Sequence, residues 1–546
     1  MRFFRASTKE IFFAAFGVVT LLFQIPLTKM ILDDPESLSL GTWNWTALAL
    51  FCFLTFLLIP ALFGLCLWVA SGISRRGAVL LLAATSAFFF SMQVNYHILQ
   101  FYFMEAAWRK SALMGMFLVL TAAMGIFQEG TLRLLKRCAL FGPVMLVVFA
   151  MQAAPTLGGK KHPLPPAALQ LQSEANVPVF FLTFEKIVSS FVADEKGQIS
   201  KERLPNLAHF VSESDYYPQA YSNSTATIYS LKTLYTGRHV TRDRNWTRYP
   251  NLRDIVGVNR PVCMQLDLLT NYCNPKSNIC LRSIGQSTRG GFDLIMGWYK
   301  TYFLVILPDS LEARLTLLGW HFNPWWDMWA REESQLKPGE NLMYRVGSRQ
   351  FEILKQAIQA QGQAPALYIM HNFISDGVSV KASSPKASSR AEYLRQVEKG
   401  RQNLAAFDRE IGLFFDFLKE RGLYDRSLII ITADTGCDGG LRYLRGETEL
   451  PAVPEMSHVF FALKRSGQAQ GRVFHSVLRQ VDVLPTLLVH LGVDPQPYHF
   501  EGVPVTDPDA TATLAQHPLD FFVAPERFSI LRYRLTDPHG PYRRVK

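Results

Sequence analysis

The sequence has no internal repeat and no low-complexity tract, so neither a solenoid nor a fibrous array is in view. Cysteine is scarce: there are seven in 546 residues, and the spacings of Cys263, Cys273, Cys280 and Cys437 match no zinc-ligand pattern. No small-residue cleavage site follows the first apolar run, Ile11–Leu32, which therefore reads as a membrane helix and not as a removable signal peptide. The net charge of +11 sits partly in loops between apolar runs and gives no ground for a nucleic-acid partner.

What is present falls into two unlike parts. The length predicts two or more units, and a hydrophobic fraction of 49% with mean hydropathy +0.08 averages over both. Five apolar runs, Ile11–Leu32, Trp45–Val69, Ala78–Leu99, Ala112–Phe127 and Cys138–Ala153, read as spans of a transmembrane domain over residues 1–154. A span takes about 20 apolar residues, so the first three qualify on length and the last two borrow from their flanks. Arg2, Arg5 and Lys9, then Arg75 and Arg76, then Arg133, Lys136 and Arg137 fall on one side. Asp33, Asp34 and Glu36, and the loop of Glu105, Arg109 and Lys110, fall on the other. Because basic loops stay cytoplasmic, the N-terminus is expected inside and the C-terminal domain outside. Cys52, Cys66 and Cys138 then pack among apolar side chains. The other four cysteines lie where disulfides form, and Cys273 with Cys280 is the local pairing among three possible connectivities.

Residues 155–176 are rich in Pro, Gly, Lys and Gln and read as a linker. From residue 177 to 546 the pattern changes. Val177–Phe184, Ala366–Met370, Ser427–Thr432 and His458–Leu463 read as buried strands, with helical periodicity between them, notably over Ala391–Gly422. Strands alternating with helices predict an α/β domain with a mostly parallel sheet. An excursion from Cys263 to Arg349 interrupts the alternation. It carries Trp298, Trp320 and the aromatic run Phe322–Trp329, either a satellite core or an aromatic surface at the lipid headgroups.

The chemistry gathers around Glu185, which ends the first strand, and Thr227, which precedes a helical stretch closing on Gly237 and Arg238. A carboxylate at a strand's carboxyl end with a hydroxyl at a helix start is how an α/β sheet assembles a metal-activated nucleophile. Bland alternatives stand beside each residue: Glu185 at a helix N-terminus, Thr227 or Thr225 as helix caps, and Asp434 capping a turn. Lys232 reads equally as a contact for an anionic substrate or as a solvated helix face. Four segments fall in register: Val179–Glu185, the Thr227 segment, Ile429–Gly436 with Asp434, and Val481–Leu488 followed by Leu491–Val493. In that order they resemble the sulfatase branch of the alkaline phosphatase superfamily. With threonine at the nucleophile position, the chain looks most like its membrane-anchored phosphoethanolamine and lipoteichoic acid transferases.

The resemblance implies a divalent metal, Zn or Mn/Mg, held by Glu185, Asp434, Thr227 and Thr435, with Thr227 forming a phospho-threonine intermediate. Cysteine in place of Thr227 would have implied a formylglycine sulfatase. Two departures stand out. Thr435 occupies the position where the family usually has a His or Asn ligand, and Asp376 stands where relatives carry a second substrate-binding His. His371 and His458 are candidate substrate-binding residues, with a satisfied core histidine as the alternative for each. The expected protein is a bacterial inner-membrane transferase with its catalytic domain periplasmic or extracellular. It takes a phospholipid donor and an envelope glycan or lipid acceptor. A membrane-tethered phosphate or sulfate ester hydrolase, or a non-catalytic envelope regulator, are the alternatives.

Overall fold

The computed structural model describes residues 7–28, 45–94, 106–158, 177–187, 189–193, 198–239, 246, 249–257, 260–265, 279–281, 295, 299, 302, 336, 342–362, 364–375, 390–436, 457–523, 531–536 and 543–545. The chain divides into two units, Met1–Gly159 with Ser287–Arg331, and Lys160–Gln286 with Glu332–Lys546. The aromatic excursion is thus split, and its middle belongs to the N-terminal unit. Trp298, Trp320 and residues 322–329 lie outside the described residues.

The first unit is helical. Helices Thr8–Thr28, Leu48–Ile73 and Gln128–Met151 are long and apolar enough to cross a membrane. Arg75–Val94 and Ala106–Ile126 form further helices over the other two apolar runs. Ser7 starts the first helix with a capping box: its hydroxyl accepts from Glu10 N–H at 3.2 Å while its own N–H donates to the Glu10 carboxylate at 3.0 Å. Gly17 lets the first helix approach Gln128–Ala139, since a β-carbon there would stand 1.8 Å from the Leu135 carbonyl oxygen. Thr20–Gln24 and Leu54–Leu58 wind as π-turns, and side chains meet the carbonyls within them. Tyr302 donates to Leu22 O, and Gln24 Nε2 donates to Thr55 O at 2.9 Å. The Tyr299 hydroxyl bonds Thr55 Oγ1 at 2.8 Å. Tyr299 and Tyr302 pack on Phe23, and Phe51 and Phe149 complete this aromatic core.

In the second unit, β1 (Val179–Phe184), β2 (Asp215–Tyr216), β4 (Val262–Gln265), β5 (Ile279–Leu281), β6 (Leu367–Asn372), β7 (Leu428–Ala433), β9 (Phe461–Lys464) and β10 (Arg472–Val473) form one eight-stranded sheet. Its order is β10-β2-β9-β7-β1-β6-β4-β5, parallel except where β9 meets β7 and β2. β3 (Ala220–Tyr221), β8 (His458–Val459) and β11 (Leu478–Arg479) form a second sheet. Antiparallel β12 (Leu519–Val523), β13 (Leu531–Leu535) and β14 (Arg543–Val545) form a third. β1 is buried along its whole length between β6 and β7. That is why it reads as an unbroken apolar run. Phe180 stacks on Tyr368 and meets Phe414 edge-on on one face of the sheet, while Phe181 meets Tyr235 of helix Thr227–Thr236. Cys280 is disulfide-bonded and Cys263 is free; Cys273, the expected partner, lies outside the described residues.

Candidate metal centre and nucleophile

Strand periodicity puts the key side chains together. Thr183 pairs with His371 of β6 and with Thr432 of β7, so these three share one face of the sheet. Side chains recur on a face every second residue, so Glu185 after Thr183 and Asp434 after Thr432 emerge on that same face. The backbone keeps this alignment past the strand ends, with Asp434 N–H on Phe184 O at 3.0 Å and Glu185 N–H on Asn372 O at 2.9 Å. Helix Thr227–Thr236 begins above them. Its N-cap is Ala226, which offers no capping side chain, and Thr227 opens the first turn.

Ligand atoms of Glu185, His371 and Asp434 lie within 4.8 Å of one another, and all three residues are buried. His371 Nε2 stands 3.4 Å from Glu185 Oε2 and 3.8 Å from Asp434 Oδ2. The Thr227 hydroxyl lies 3.3 Å from both Glu185 oxygens. These separations are long for hydrogen bonds, and among the described residues His371 Nε2 and Asp434 Oδ2 have no partner within hydrogen-bond geometry. Donors about 2 Å from one shared ion stand roughly 3 to 4 Å apart, so the spacing fits a divalent cation. One imidazole and two carboxylates suit zinc or manganese. Burial opposes a charged imidazole, but Asp434 and Glu185 outweigh it and push His371 up to about 9. Burial likewise opposes ionisation of Asp434. The His371 imidazolium, the Thr227 hydroxyl and the Lys186 N–H nevertheless hold it below the usual carboxylate range.

A second layer fixes the ligands. Gln480 Nε2 donates to Asp434 O, while its Oε1 accepts from Ser230 Oγ at 2.9 Å and from Asn223 N–H at 3.0 Å. The Ser230 hydroxyl also reaches Asp434 O, so its one proton is shared between the two acceptors, and Ser375 Oγ donates to Glu185 O. Gln350 Nε2 donates to His371 O at 2.9 Å. The segment around Asp482 thus buttresses the strand end that carries Asp434. Nothing in the sequence singled out Gln480, Ser230 or Gln350.

The predicted residues separate. Glu185, Asp434 and Thr227 converge, and His371, expected at substrate, stands among the metal-ligand candidates. Thr435 is buried beside Asp434. Lys232 is buried on its helix with its ammonium 5.2 Å from the Tyr229 ring centre. His458 bonds the Pro218 carbonyl at 2.7 Å and stacks on Tyr221. Asp376 lies outside the described residues. Lys186, which the sequence reading passed over, follows Glu185 with φ of 55°. Its N–H donates to Asp434 Oδ1 at 3.0 Å, and its ammonium stands 3.3 Å from Glu185 Oε1.

No protein-family model matches the chain. A lipoteichoic acid synthase from Staphylococcus saprophyticus is 30% identical over 126 residues. That match covers 22% of this chain and 19% of the relative's length. Among solved structures, a 2-O GAG sulfatase is 11% identical with a TM-score of 0.45, covering 66% of this chain and 81% of the other. A protein in the alkaline phosphatase superfamily from Vibrio parahaemolyticus is 14% identical with a TM-score of 0.39, covering 70% of this chain and 81% of the other. This chain is thus similar over a short stretch to a lipoteichoic acid synthase and, at low identity, to a sulfatase and to a protein in the alkaline phosphatase superfamily.

Proposed function

We propose that the protein is a membrane-anchored, metal-dependent transferase. It moves a phosphoethanolamine-like group from a phospholipid to an envelope glycan or lipid through a phospho-threonine at Thr227. The observation that carries this reading is the Thr227 hydroxyl on Glu185, within a buried cluster whose other members are His371 and Asp434. A divalent cation on Glu185, His371, Asp434 and the Thr227 hydroxyl would favour the alkoxide and offset charge on the transferred group. Thr227 Oγ1 attacks phosphorus while the lipid oxygen leaves, and Glu185 lies where the hydroxyl proton departs. The acceptor hydroxyl then displaces the group from Thr227. His371 supplies the imidazole that Thr435 cannot, which supports catalysis over a degenerate, purely binding domain.

An inner-membrane location with five spans and the α/β unit outside suits a donor confined to the bilayer. The test incubates the full-length protein, with manganese or zinc, with phosphatidylethanolamine vesicles. Mass spectrometry is then used to look for an adduct on Thr227. Metal with the adduct supports the transferase, metal with steady release of free product supports a hydrolase, and no metal binding sinks both.

A further inference from the structure

Lys186 follows Glu185 directly and lies against the cluster. Its φ of 55° is the left-handed conformation, which is unfavourable for a non-glycine residue. Glycine would adopt it without that cost, so the lysine side chain calls for a reason. The conformation sends the backbone N–H to Asp434 Oδ1 at 3.0 Å and the ammonium to Glu185 Oε1 at 3.3 Å. That same Glu185 oxygen meets the Thr227 hydroxyl, also at 3.3 Å. The Lys186 side chain is 28% exposed, whereas those of Glu185, His371 and Asp434 are 8%, 0% and 0% exposed. The Lys186 side chain is therefore more exposed than the three ligand candidates beside it. Lys232, the other lysine considered for an anion, is buried against Tyr229.

We propose that Lys186 binds the nonbridging oxygens of the phosphoryl group presented to Thr227. The assignment rests on the reading of Thr227 as nucleophile. Once Glu185 shares its charge with a divalent cation, its hold on the ammonium weakens, and an incoming phosphoryl oxygen becomes the stronger partner. A lysine serves such a group as a point charge.

The test uses full-length, detergent-solubilised protein loaded with manganese, titrated calorimetrically with inorganic phosphate. K186M weakens phosphate binding about tenfold or more, and K186R stays within about threefold of wild type. K186G removes the ammonium and relieves the backbone, so it melts no lower than wild type yet loses phosphate binding as K186M does. Manganese affinity in K186M is undiminished. Wild-type phosphate affinity in K186M, loss of phosphate binding in K186R equal to that in K186M, or no phosphate binding by the loaded wild type each overturns the proposal. A Thr227 adduct with normal phosphate binding in K186M rejects Lys186 and keeps the transferase. Lysine-dependent phosphate binding without an adduct rejects the transferase and keeps Lys186 as an anion site.

Discussion

At the scale of single residues, Thr227 and His371 do different work. Thr227→Ala leaves the fold intact, because Ala226 already forms the N-cap and, among the described residues, the hydroxyl meets the carboxylates of Glu185 and Asp434. The proposed group transfer falls by about a thousandfold or more in that variant, while Thr227→Ser keeps measurable turnover; a steady-state assay on both variants checks this. His371 is raised to about 9 between two carboxylates. In metal-free protein its charge therefore adds stability in full below the unfolded-state value of about 6.5 and loses it as pH rises through about 9. Chemical unfolding across that range shows the decline, and His371→Gln flattens it. Metal binding must displace the same proton, so affinity rises with pH over that window.

At the scale of elements, each π-turn leaves a carbonyl that a side chain must meet, because lipid offers no water to do so. Tyr302→Phe strips the partner from Leu22 O and costs about 1–3 kcal/mol. Tyr299→Phe costs less, about 0.6 kcal/mol, since the Thr55 hydroxyl can turn to a backbone carbonyl of its own helix. Thermal unfolding in detergent ranks the pair; equal losses would mean that packing on Phe23 dominates. In the α/β unit, helix Gln480–His490 contains Pro485, which cannot donate to the carbonyl four residues back. Gly502 closes on that Val481 carbonyl, where a β-carbon would stand 1.9 Å away. The helix is thereby held in the place from which Gln480 grips Asp434 O. Element boundaries follow local signals, but this grip depends on residues from distant parts of the chain.

At the scale of the molecule, the chain joins an apolar helical unit to an α/β unit built around one sheet. The expected topology has five spans with the N-terminus inside. A reporter that matures only in an oxidising compartment is therefore active when fused after the α/β unit and inactive when fused at Ser74, ahead of Arg75 and Arg76. Activity at both positions would overturn the topology. Chelation tests the same architecture energetically. A metal present at about a hundred times its Kd stabilises the α/β unit by about 2.7 kcal/mol, and the chelated protein loses that amount.

The sequence by itself determined the apolar helices, the unbroken run of β1, the two acids at strand ends and the hydroxyl at a helix start. Each of these is written in neighbouring residues, through strand or helix periodicity. Only the tertiary structure decided that His371 faces Glu185 and Asp434, because that follows from the register of β6 on β1 across nearly two hundred residues of chain. It alone set Lys186 in the left-handed conformation, since the contact that holds it there is with Asp434, from a different strand. The physical reason is common to both: side-chain type and periodicity are local, whereas which strands lie side by side is fixed by burying their apolar faces together.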